Sequence, residues 1–324
     1  MKKLLLASTV LGLSAGVAAA DITLSGDARM GIIDDFGTIG AQFNSRARVK
    51  FTMSGESDTG ISFGASFRAD NAIGAASGTA GSVFVSGAFG KLSMGDVDGA
   101  AAAAMGQVDG VGYTGLSDLN EIIFIGDGGT NSIVFDAAFL PAEAISGDPS
   151  ILYEYSAGDW AVYASVNQLE FVLPVSTYDS SSYAVAGSYT MGAVKLALGY
   201  EVYDISTPGV SWDVDQISVG ADATLGSFVL KARYATGGAD GTNGFTQDNE
   251  QWAVSGTYTM DALSMTAFIS NQQFDQIGVT VSEREAWGLG AAYDLGGGAS
   301  VAGGYVRNET TNQDAIDLGM KFSF

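Results

Sequence analysis

The stretch Asp314-Ala-Ile-Asp-Leu-Gly-Met-Lys-Phe-Ser-Phe324, at the carboxy-terminus, decides the fold. Successive side chains of a β-strand point to opposite faces, so this segment is a strand with one apolar face and one small or polar face. The apolar face consists of Ile316, Leu318, Met320, Phe322 and Phe324. A terminal aromatic strand of this kind, in a Gly-rich and cysteine-free chain, is typical of a β-barrel of the bacterial outer membrane.

The amino-terminus has the pattern of an export signal. Lys2 and Lys3 precede an apolar run, and Ala18-Ala19-Ala20 follows it as a small-residue cleavage site. We expect a signal peptide over residues 1–20 and a mature chain over 21–324. The alternative, a membrane anchor, would need about 20 consecutive apolar residues, and the run is shorter. A membrane-spanning mature chain would therefore have to be a closed barrel.

Composition limits the possible functions. Without Lys2 and Lys3, 12 basic residues remain against 36 acidic ones, a net charge of −24. That balance argues against a nucleic-acid partner. The chain has no histidine and no cysteine, which excludes disulfides, histidine-ligated metals and catalysis by a Ser-His-Asp triad. We therefore expect that the protein is not an enzyme.

Short turns recur with a fixed period. The turns begin near Tyr155, Tyr189, Ala223, Tyr258 and Tyr293, at steps of 34, 34, 35 and 35 residues. Each step holds two strands, a short turn and a longer loop, as in outer-membrane barrels. The period predicts 16 to 18 antiparallel strands in residues 21–324.

Aromatic residues mark the turn ends of the predicted strands. Tyr155, Tyr189, Tyr258 and Tyr293 all have outward parity, which predicts an aromatic ring at one membrane interface. A soluble β-sandwich would alternate in the same way, but it would bury its apolar face, and it does not explain this ring.

One interval, between the turns near Gly90 and Gly158, breaks the period. In the first interpretation Ile122–Ile125 and Ile133–Phe139 form an extra hairpin, which gives 18 strands. In the second, residues 96–149 are one long loop that folds into the lumen, which gives 16. Within this interval, Ala100–Met105 is predicted to be a short helix.

Strand parity places a ladder of basic residues inside the barrel. An outward Arg or Lys at the bilayer midplane costs about 2–4 kcal/mol, so these side chains must face the lumen. The candidate constriction residues on this side are Arg29, Arg46, Arg48, Lys50 and Arg68.

Acidic residues of the long loop are the predicted counterpart. A basic wall opposite an acidic loop produces a transverse field that favours small polar solutes. The acids are Asp96, Asp98, Asp109, Asp118 and Glu121. Asp96 and Asp98 are also a candidate calcium site, although a solvated pair of carboxylates is the favoured interpretation.

Ten sequence segments in order resemble the general-diffusion porins of Rhodobacter-type alphaproteobacteria, over essentially the whole mature chain. The segments include Leu24-Ser-Gly-Asp-Ala-Arg-Met-Gly31, Ser45-Arg-Ala-Arg48, Ser86-Gly-Ala-Phe-Gly-Lys91 and Tyr293-Asp-Leu-Gly-Gly-Gly-Ala-Ser300.

The resemblance implies a 16-stranded homotrimeric barrel in outer-membrane lipid. It also implies that loop 96–149 forms an internal constriction and that the barrel-assembly machinery recognises Phe324. It favours the long loop over the extra hairpin, and assigns the constriction role to Arg29, Arg46, Arg48, Arg68 and Asp96. Related porins bind Ca²⁺ among loop acids. Residues 100–104 depart from the pattern, because they are all alanine where related loops are acidic.

Three functions compete at this point. A passive channel for ions and small hydrophilic solutes is preferred. An adhesin or structural barrel protein is the alternative, and it would need 96–149 to lie outside the barrel. An outer-membrane enzyme is disfavoured by the lack of histidine and of clustered nucleophiles.

Overall fold

Alternation of apolar and polar side chains continues through sixteen strands, which form one closed antiparallel sheet. The structure is a computed structural model, and it describes residues 21–37, 40–70, 78–125, 150–173, 176–242, 244, 246–276 and 279–324. The predicted signal peptide, 1–20, and residues 126–149 of the long loop lie outside these ranges.

The strands of the first half have unequal lengths. They are β1 Asp21–Asp34, β2 Gln42–Glu56, β3 Ser62–Asp70, β4 Gly78–Gly87, β5 Gly90–Gly95, β6 Ser150–Ala157, β7 Trp160–Leu173 and β8 Ser176–Met191. The second half is more regular. It contains β9 Val194–Thr207, β10 Val210–Leu225, β11 Phe228–Gly241, β12 Thr246–Met260, β13 Leu263–Gln276, β14 Val279–Gly296, β15 Ala299–Asn308 and β16 Gln313–Ser323.

Each strand pairs with its neighbours in the chain, and β16 returns to pair with β1. The seam runs in register from Asp27 opposite Ser323 to Asp34 opposite Ile316. The prediction of 16 strands is confirmed. The 18-strand alternative is wrong, because β5 pairs directly with β6 and residues 122–125 form no strand. Residues 133–139 are outside the described part of the chain.

The barrel is apolar outside and polar inside. Leu198 and Leu318 on the outer face are 54% and 64% exposed, whereas Glu201 and Gln216 on the inner face are fully buried. A soluble sandwich would bury its leucines and expose its glutamates. The pattern is that of a barrel whose outer surface contacts lipid.

The short turns at one end of the barrel share a backbone conformation. Gly158, Gly192, Gly226 and Gly296 have φ angles of 64°, 61°, 65° and 78°, and Asp261 occupies the same place in the period with φ 52°. Glycine accepts this left-handed region without steric cost, which explains why glycine recurs at this point of the period.

The long segment after β5 contains a short helix, α1 Ala100–Met105, and a 3₁₀ turn, Leu116–Asp118. Alanine has the highest helix propensity, and α1 ends at Gly106 with φ 62°. Among the described residues, no helix has the length and apolar character needed to cross a membrane.

Candidate pore constriction

Residues 96–125, the constriction segment, lie inside the barrel. Helix α1 packs against β7 to β10, and the 3₁₀ turn against β15 and β16. Hydrogen bonds join the segment to inner side chains of β7, β9 to β14, β16 and β1. The predicted internal position is thus seen for this part of loop 96–149.

Helix α1 approaches the wall closely because both surfaces are small. A Cβ at Gly199 would lie 2.7 Å from the Ala101 Cβ, and one at Gly220 would lie 3.0 Å from the Met105 Cγ. Ala101 and Ala104 are fully buried. Charged side chains at these positions would lose their hydration, so the absence of acids from residues 100–104 follows from how the helix packs.

Arg233 on β11 holds the carboxy-terminal end of α1. Its guanidinium donates to the carbonyls of Met105 at 2.6 Å and Gly106 at 2.8 Å. It also forms an ion pair with Asp222 at 2.7 Å, and its side chain is 1% exposed. A cation at the last carbonyls of a helix satisfies acceptors that have no partner within the helix.

Amide side chains hold the next part of the segment. Gln251 Oε1 accepts from the backbone N–H of Ile123 at 2.8 Å, and Gln216 Nε2 donates to the Ile123 carbonyl at 2.9 Å. Within the segment, Gln107 bonds both backbone groups of Ile122. These neutral contacts replace the strand pairing that the 18-strand interpretation required.

Thr114 fixes the tip of the segment across the seam between β1 and β16. Its backbone N and Oγ1 both donate to Asp317 Oδ2, at 2.8 and 2.6 Å, and its carbonyl accepts from Arg29 Nη1 at 3.0 Å. Gly112, with φ 82°, lets the chain pass the carboxylate, since a Cβ there would lie 2.4 Å from Asp317 Oδ1. The tip is therefore attached to both strands of the seam.

The predicted basic ladder lines the inner face of β1 to β3, here called the basic wall. Arg29, Arg46, Arg48, Lys50 and Arg68 all have inward parity there. Two inward acids that are not among the predicted constriction residues, Asp27 and Asp70, accompany them. Asp27 pairs with Arg46 at 3.0 Å. Asp70 pairs with Arg68 at 2.6 Å and with Arg48 at 3.4 Å.

The predicted loop acids divide between two walls. The charge of Asp118 acts on Arg29 and Arg46, and that of Asp96 acts on Arg68. Asp98 also makes a contact within the structure.

Two loop acids lie elsewhere than predicted. Asp109 does not oppose the ladder: it forms an ion pair with Lys231 on β11 at 2.6 Å and accepts from Thr257. Glu121 acts on Arg284 of β14. Asp109 and Glu121 do not oppose the basic wall because inward bases on β11 and β14 lie nearer to them.

Asp118 has an unusual environment for a lumen carboxylate. It keeps accessible surface, yet its place in the 3₁₀ turn Leu116–Asp118 removes part of its hydration. This desolvation raises the pKa of the Asp118 carboxyl, while the positive charges of Arg29 and Arg46 act in the opposite direction.

The predicted interface aromatics lie at the short-turn end. Tyr155 and Tyr293 are exposed outward. Tyr189 packs on Trp160 with ring centroids 4.3 Å apart, and Tyr258 packs on Phe228 at 4.5 Å. At the same end Phe324 is 80% exposed, and its backbone exchanges two hydrogen bonds with Gly26 across the seam.

Sequence reasoning missed the inner residues that hold the segment. They are the acid Asp317, the bases Lys231, Arg233 and Arg284, and the amides Gln216, Gln251 and Gln272. Their inward parity is visible in the sequence. What the sequence does not show is which strands the segment crosses.

Comparison with known proteins agrees with this geometry. A family model described as Gram-negative porin matches residues 7–313. The chain belongs to the Gram-negative porin family. The porin of Rhodobacter capsulatus is 38% identical over 324 residues, covering 94% of this chain and all of that protein. The porin of Fuscovulum blasticum is 26% identical over 317 residues, covering 94% and 100%.

Solved porin structures share the architecture. A porin refined at 1.8 Å resolution is 34% identical, with a TM-score of 0.76, and the alignment covers 94% of this chain and all of the other. An engineered Rh. blastica porin with 21% identity and the same coverage has a TM-score of 0.64, which shows the common fold. This porin is thus a 16-stranded transmembrane barrel with an internal constriction segment.

Proposed function

We propose that this porin forms a water-filled channel in the outer membrane, through which ions and small hydrophilic solutes diffuse passively. The observation that carries the proposal is the placement of residues 96–125 against the inner walls, with the basic wall of β1 to β3 bordering the remaining lumen. A barrel filled by side chains would have no aqueous path, and a barrel with this segment outside would have a wide lumen without a constriction.

The constriction acts on solutes through charge. Arg29, Arg46, Arg48, Lys50 and Arg68 lie on one side, and Asp96 and Asp118 on the segment facing them. Charges of opposite sign across a narrow aqueous passage orient water and penalise apolar solutes. The field is weaker than the ladder alone suggests, because Asp27 and Asp70 form ion pairs with three of the arginines.

A homotrimer is the proposed assembly. Strands β3 to β6 have 9, 10, 6 and 8 residues, whereas β7 to β14 have 14 to 18. A membrane-spanning strand needs about 9–11 residues, so β5 and β6, with 6 and 8 residues, are too short to face lipid across its full thickness. Small outward residues nearby, Ala47, Ala65 and Gly87, would let a neighbouring barrel approach. Light scattering of the unheated protein tests the trimer.

The two ends of the sequence support a proposal for export and a proposal for assembly. Cleavage after Ala20 by signal peptidase would leave Asp21 as the amino-terminus, which intact mass measurement tests. Recognition of Phe324 by the barrel-assembly machinery would make deletion of this residue lower the outer-membrane level of the protein sharply. Normal levels of the truncated porin would contradict that role.

No cofactor is required by this proposal, and calcium remains a prediction for Asp96 and Asp98. Among the described residues no three acidic side chains group together as a metal site, so backbone or water oxygens would have to complete the coordination. Isothermal titration with Ca²⁺, compared between the wild type and Asp96→Asn, tests this prediction.

The decisive experiment is single-channel recording in a planar bilayer, with reversal potentials under a KCl gradient. We expect stable steps of conductance and weak to moderate preference for K⁺, which falls as salt rises because the Debye length shortens from about 10 Å at 0.1 M to about 3 Å at 1 M. Replacing Arg46 and Arg48 with Gln should raise both the K⁺ preference and the conductance for larger polar solutes.

The alternative function gives a different result. A barrel that serves as an adhesin or a structural anchor would insert into the bilayer without conducting. Absence of conductance from correctly folded protein would therefore overturn the channel and favour the anchor.

A further inference from the structure

The two acids of the basic wall occupy its central row. In the strand register Asp27 lies opposite Arg48 on β2, and Arg48 lies opposite Asp70 on β3. The row above contains Arg29 opposite Arg46, and the row below contains Lys50 opposite Arg68. The acids therefore lie between two cationic rows, and Arg48 lies between the acids.

Asp70 has the closer contacts. Its carboxylate accepts two hydrogen bonds from Arg68, from Nε to Oδ1 at 2.6 Å and from Nη2 to Oδ2 at 2.9 Å. Arg48 Nε approaches Oδ2 at 3.4 Å. This two-point geometry fixes the plane of a guanidinium as well as its position. The Asp70 side chain is 18% exposed, compared with 43% for Asp27.

We propose that Asp27 and Asp70 are specificity-determining residues of the pore, which suppress the anion preference that the arginine ladder would otherwise impose. The inference rests on the channel function proposed above. An anion in the lumen meets ion pairs at Arg46, Arg48 and Arg68, and not isolated guanidinium charges. The potential of such a pair falls with distance faster than that of a single charge.

The central row also determines how much of each charge reaches the lumen. A guanidinium hydrogen-bonded to an acid on its own wall lies along that wall, whereas a released one can extend toward a passing ion. Asp70 acts on Arg48 and Arg68 together, so its removal changes two cations at once. Asp27 accepts a single hydrogen bond of 3.0 Å, from Arg46, and reaches Arg48 and Arg68 only through the longer-range effect of its charge. We expect a smaller effect from its removal.

The size of the effect follows from screened electrostatics. A unit charge about 8 Å from an ion in water, screened over one Debye length, changes the local concentration of that ion about 1.4-fold. Potassium and chloride respond in opposite directions. The ratio of their permeabilities therefore falls about twofold when Asp70 becomes neutral, and further when the released arginines extend into the lumen.

The test compares Asp70→Asn with a matched control, Glu56→Gln. Glu56 carries the same charge at the end of the same β2 strand as Arg48, eight residues away or about 27 Å. In reversal-potential measurements at 0.1 M KCl, Asp70→Asn should lower the K⁺/Cl⁻ permeability ratio about twofold, and Glu56→Gln should change it much less. Asp27→Asn should fall between them, and the double variant should have the lowest ratio.

Asp70→Glu separates charge from simple structural support. This variant keeps the carboxylate, so it should retain a ratio near that of the wild type even where the longer side chain alters conductance. Equal ratios for Asp70→Asn, Glu56→Gln and the wild type would overturn the inference while leaving the channel intact. Failure of the wild type to conduct at all would instead refute the proposed function.

Discussion

Asp317 on the last strand accepts two hydrogen bonds from Thr114 at the tip of the constriction segment, at 2.8 and 2.6 Å. Asp317 is only 3% exposed, and Thr114 also bonds Arg29 on the first strand through its carbonyl. One loop residue thus connects the two strands that close the barrel. The position of the tip depends on this contact.

Thr114→Val should loosen the tip. The change removes the hydroxyl bond to Asp317 and the bond that the same oxygen accepts from the Leu116 N–H, and it keeps the size of the side chain. Hydrogen bonds to charged groups contribute about 1.5–3 kcal/mol each, enough to populate undocked states. We expect larger open-channel current noise and faster hydrogen exchange over residues 111–119.

Thr52→Val is the matched control for that prediction. Thr52 has inward parity on β2, and it lies six residues along that strand from Arg46, the residue opposite Arg29. It should leave the noise unchanged. Equal noise in both variants would mean that Thr114 does not hold the tip.

Arg233 should be the most sensitive position for docking of α1. Its replacement by Met leaves Asp222 and the carbonyls of Met105 and Gly106 without their donor. Asp222 is 28% exposed and can be hydrated, but each lost bond from the charged guanidinium to a helix carbonyl costs about 1.5–3 kcal/mol, which should release the helix. Hydrogen exchange at the backbone N–H groups of Ala103 and Gly106, which are bonded within the helix, should rise steeply.

Lys321→Met separates this effect from the loss of a positive charge. Lys321 lies on β16, away from α1. It should leave exchange in the helix unchanged while shifting selectivity slightly toward K⁺. Protection of α1 in Arg233→Met equal to that in the wild type would show that the alanine face alone holds the helix.

Asp261→Gly should stabilise the barrel. Asp261 is a non-glycine residue at a position of the turn period where Gly158, Gly192, Gly226 and Gly296 have positive φ. A left-handed backbone costs an ordinary residue roughly 1–2 kcal/mol, less for Asp, so we expect a gain of about 0.5–1 kcal/mol. Denaturant unfolding from lipid vesicles measures it.

Gly226→Ala provides the opposite change at an equivalent turn. A Cβ at Gly226 would meet no atom within 4 Å, so any loss of stability comes from the backbone conformation alone. This variant should be destabilised by about 1 kcal/mol. A lower midpoint for Asp261→Gly would indicate that the Asp261 side chain contributes more than its φ angle costs.

The sequence predicts features that depend on neighbouring residues, and it does not predict contacts between residues that are far apart in the chain. Alternation in a strand is local, so the predicted outward faces of Ile316 and Leu318 and the predicted inward ladder from Arg29 to Arg68 are correct. The turn period is local as well. The partner of Asp109, in contrast, is 122 residues away at Lys231, and no local pattern specifies which wall a loop crosses.

The missed acids Asp27 and Asp70 show a second reason. Their inward parity is as clear as that of the arginines, but the predicted partners of the ladder are the loop acids alone. Cross-strand neighbours in a sheet lie closer to each other than to a loop across a lumen. Opposite charges on one wall therefore pair along the wall first, and only the remaining charge acts across the pore.

The charge of Asp118 should give the channel a dependence on acid pH. Desolvation raises the pKa of this carboxyl. Its negative charge is present above that pKa and is lost as the pH falls. The loss comes at a higher pH than for an ordinary aspartate, whose pKa is about 3.9. At pH 7, Asp118→Asn should have a lower K⁺/Cl⁻ ratio than the wild type. On acidification the difference between the two should disappear with a midpoint above the ordinary aspartate value of about 3.9.

Arg46→Gln tests what sets the pKa of Asp118. The positive charge of Arg46 opposes the effect of burial on Asp118, so its removal should raise the pKa further. In the Arg46→Gln background, the midpoint at which the difference between channels with and without the Asp118→Asn change disappears should then move upward. A midpoint at or below about 4 in both backgrounds would mean that desolvation does not control Asp118, because a carboxyl in free contact with lumen water has its midpoint at about that pH.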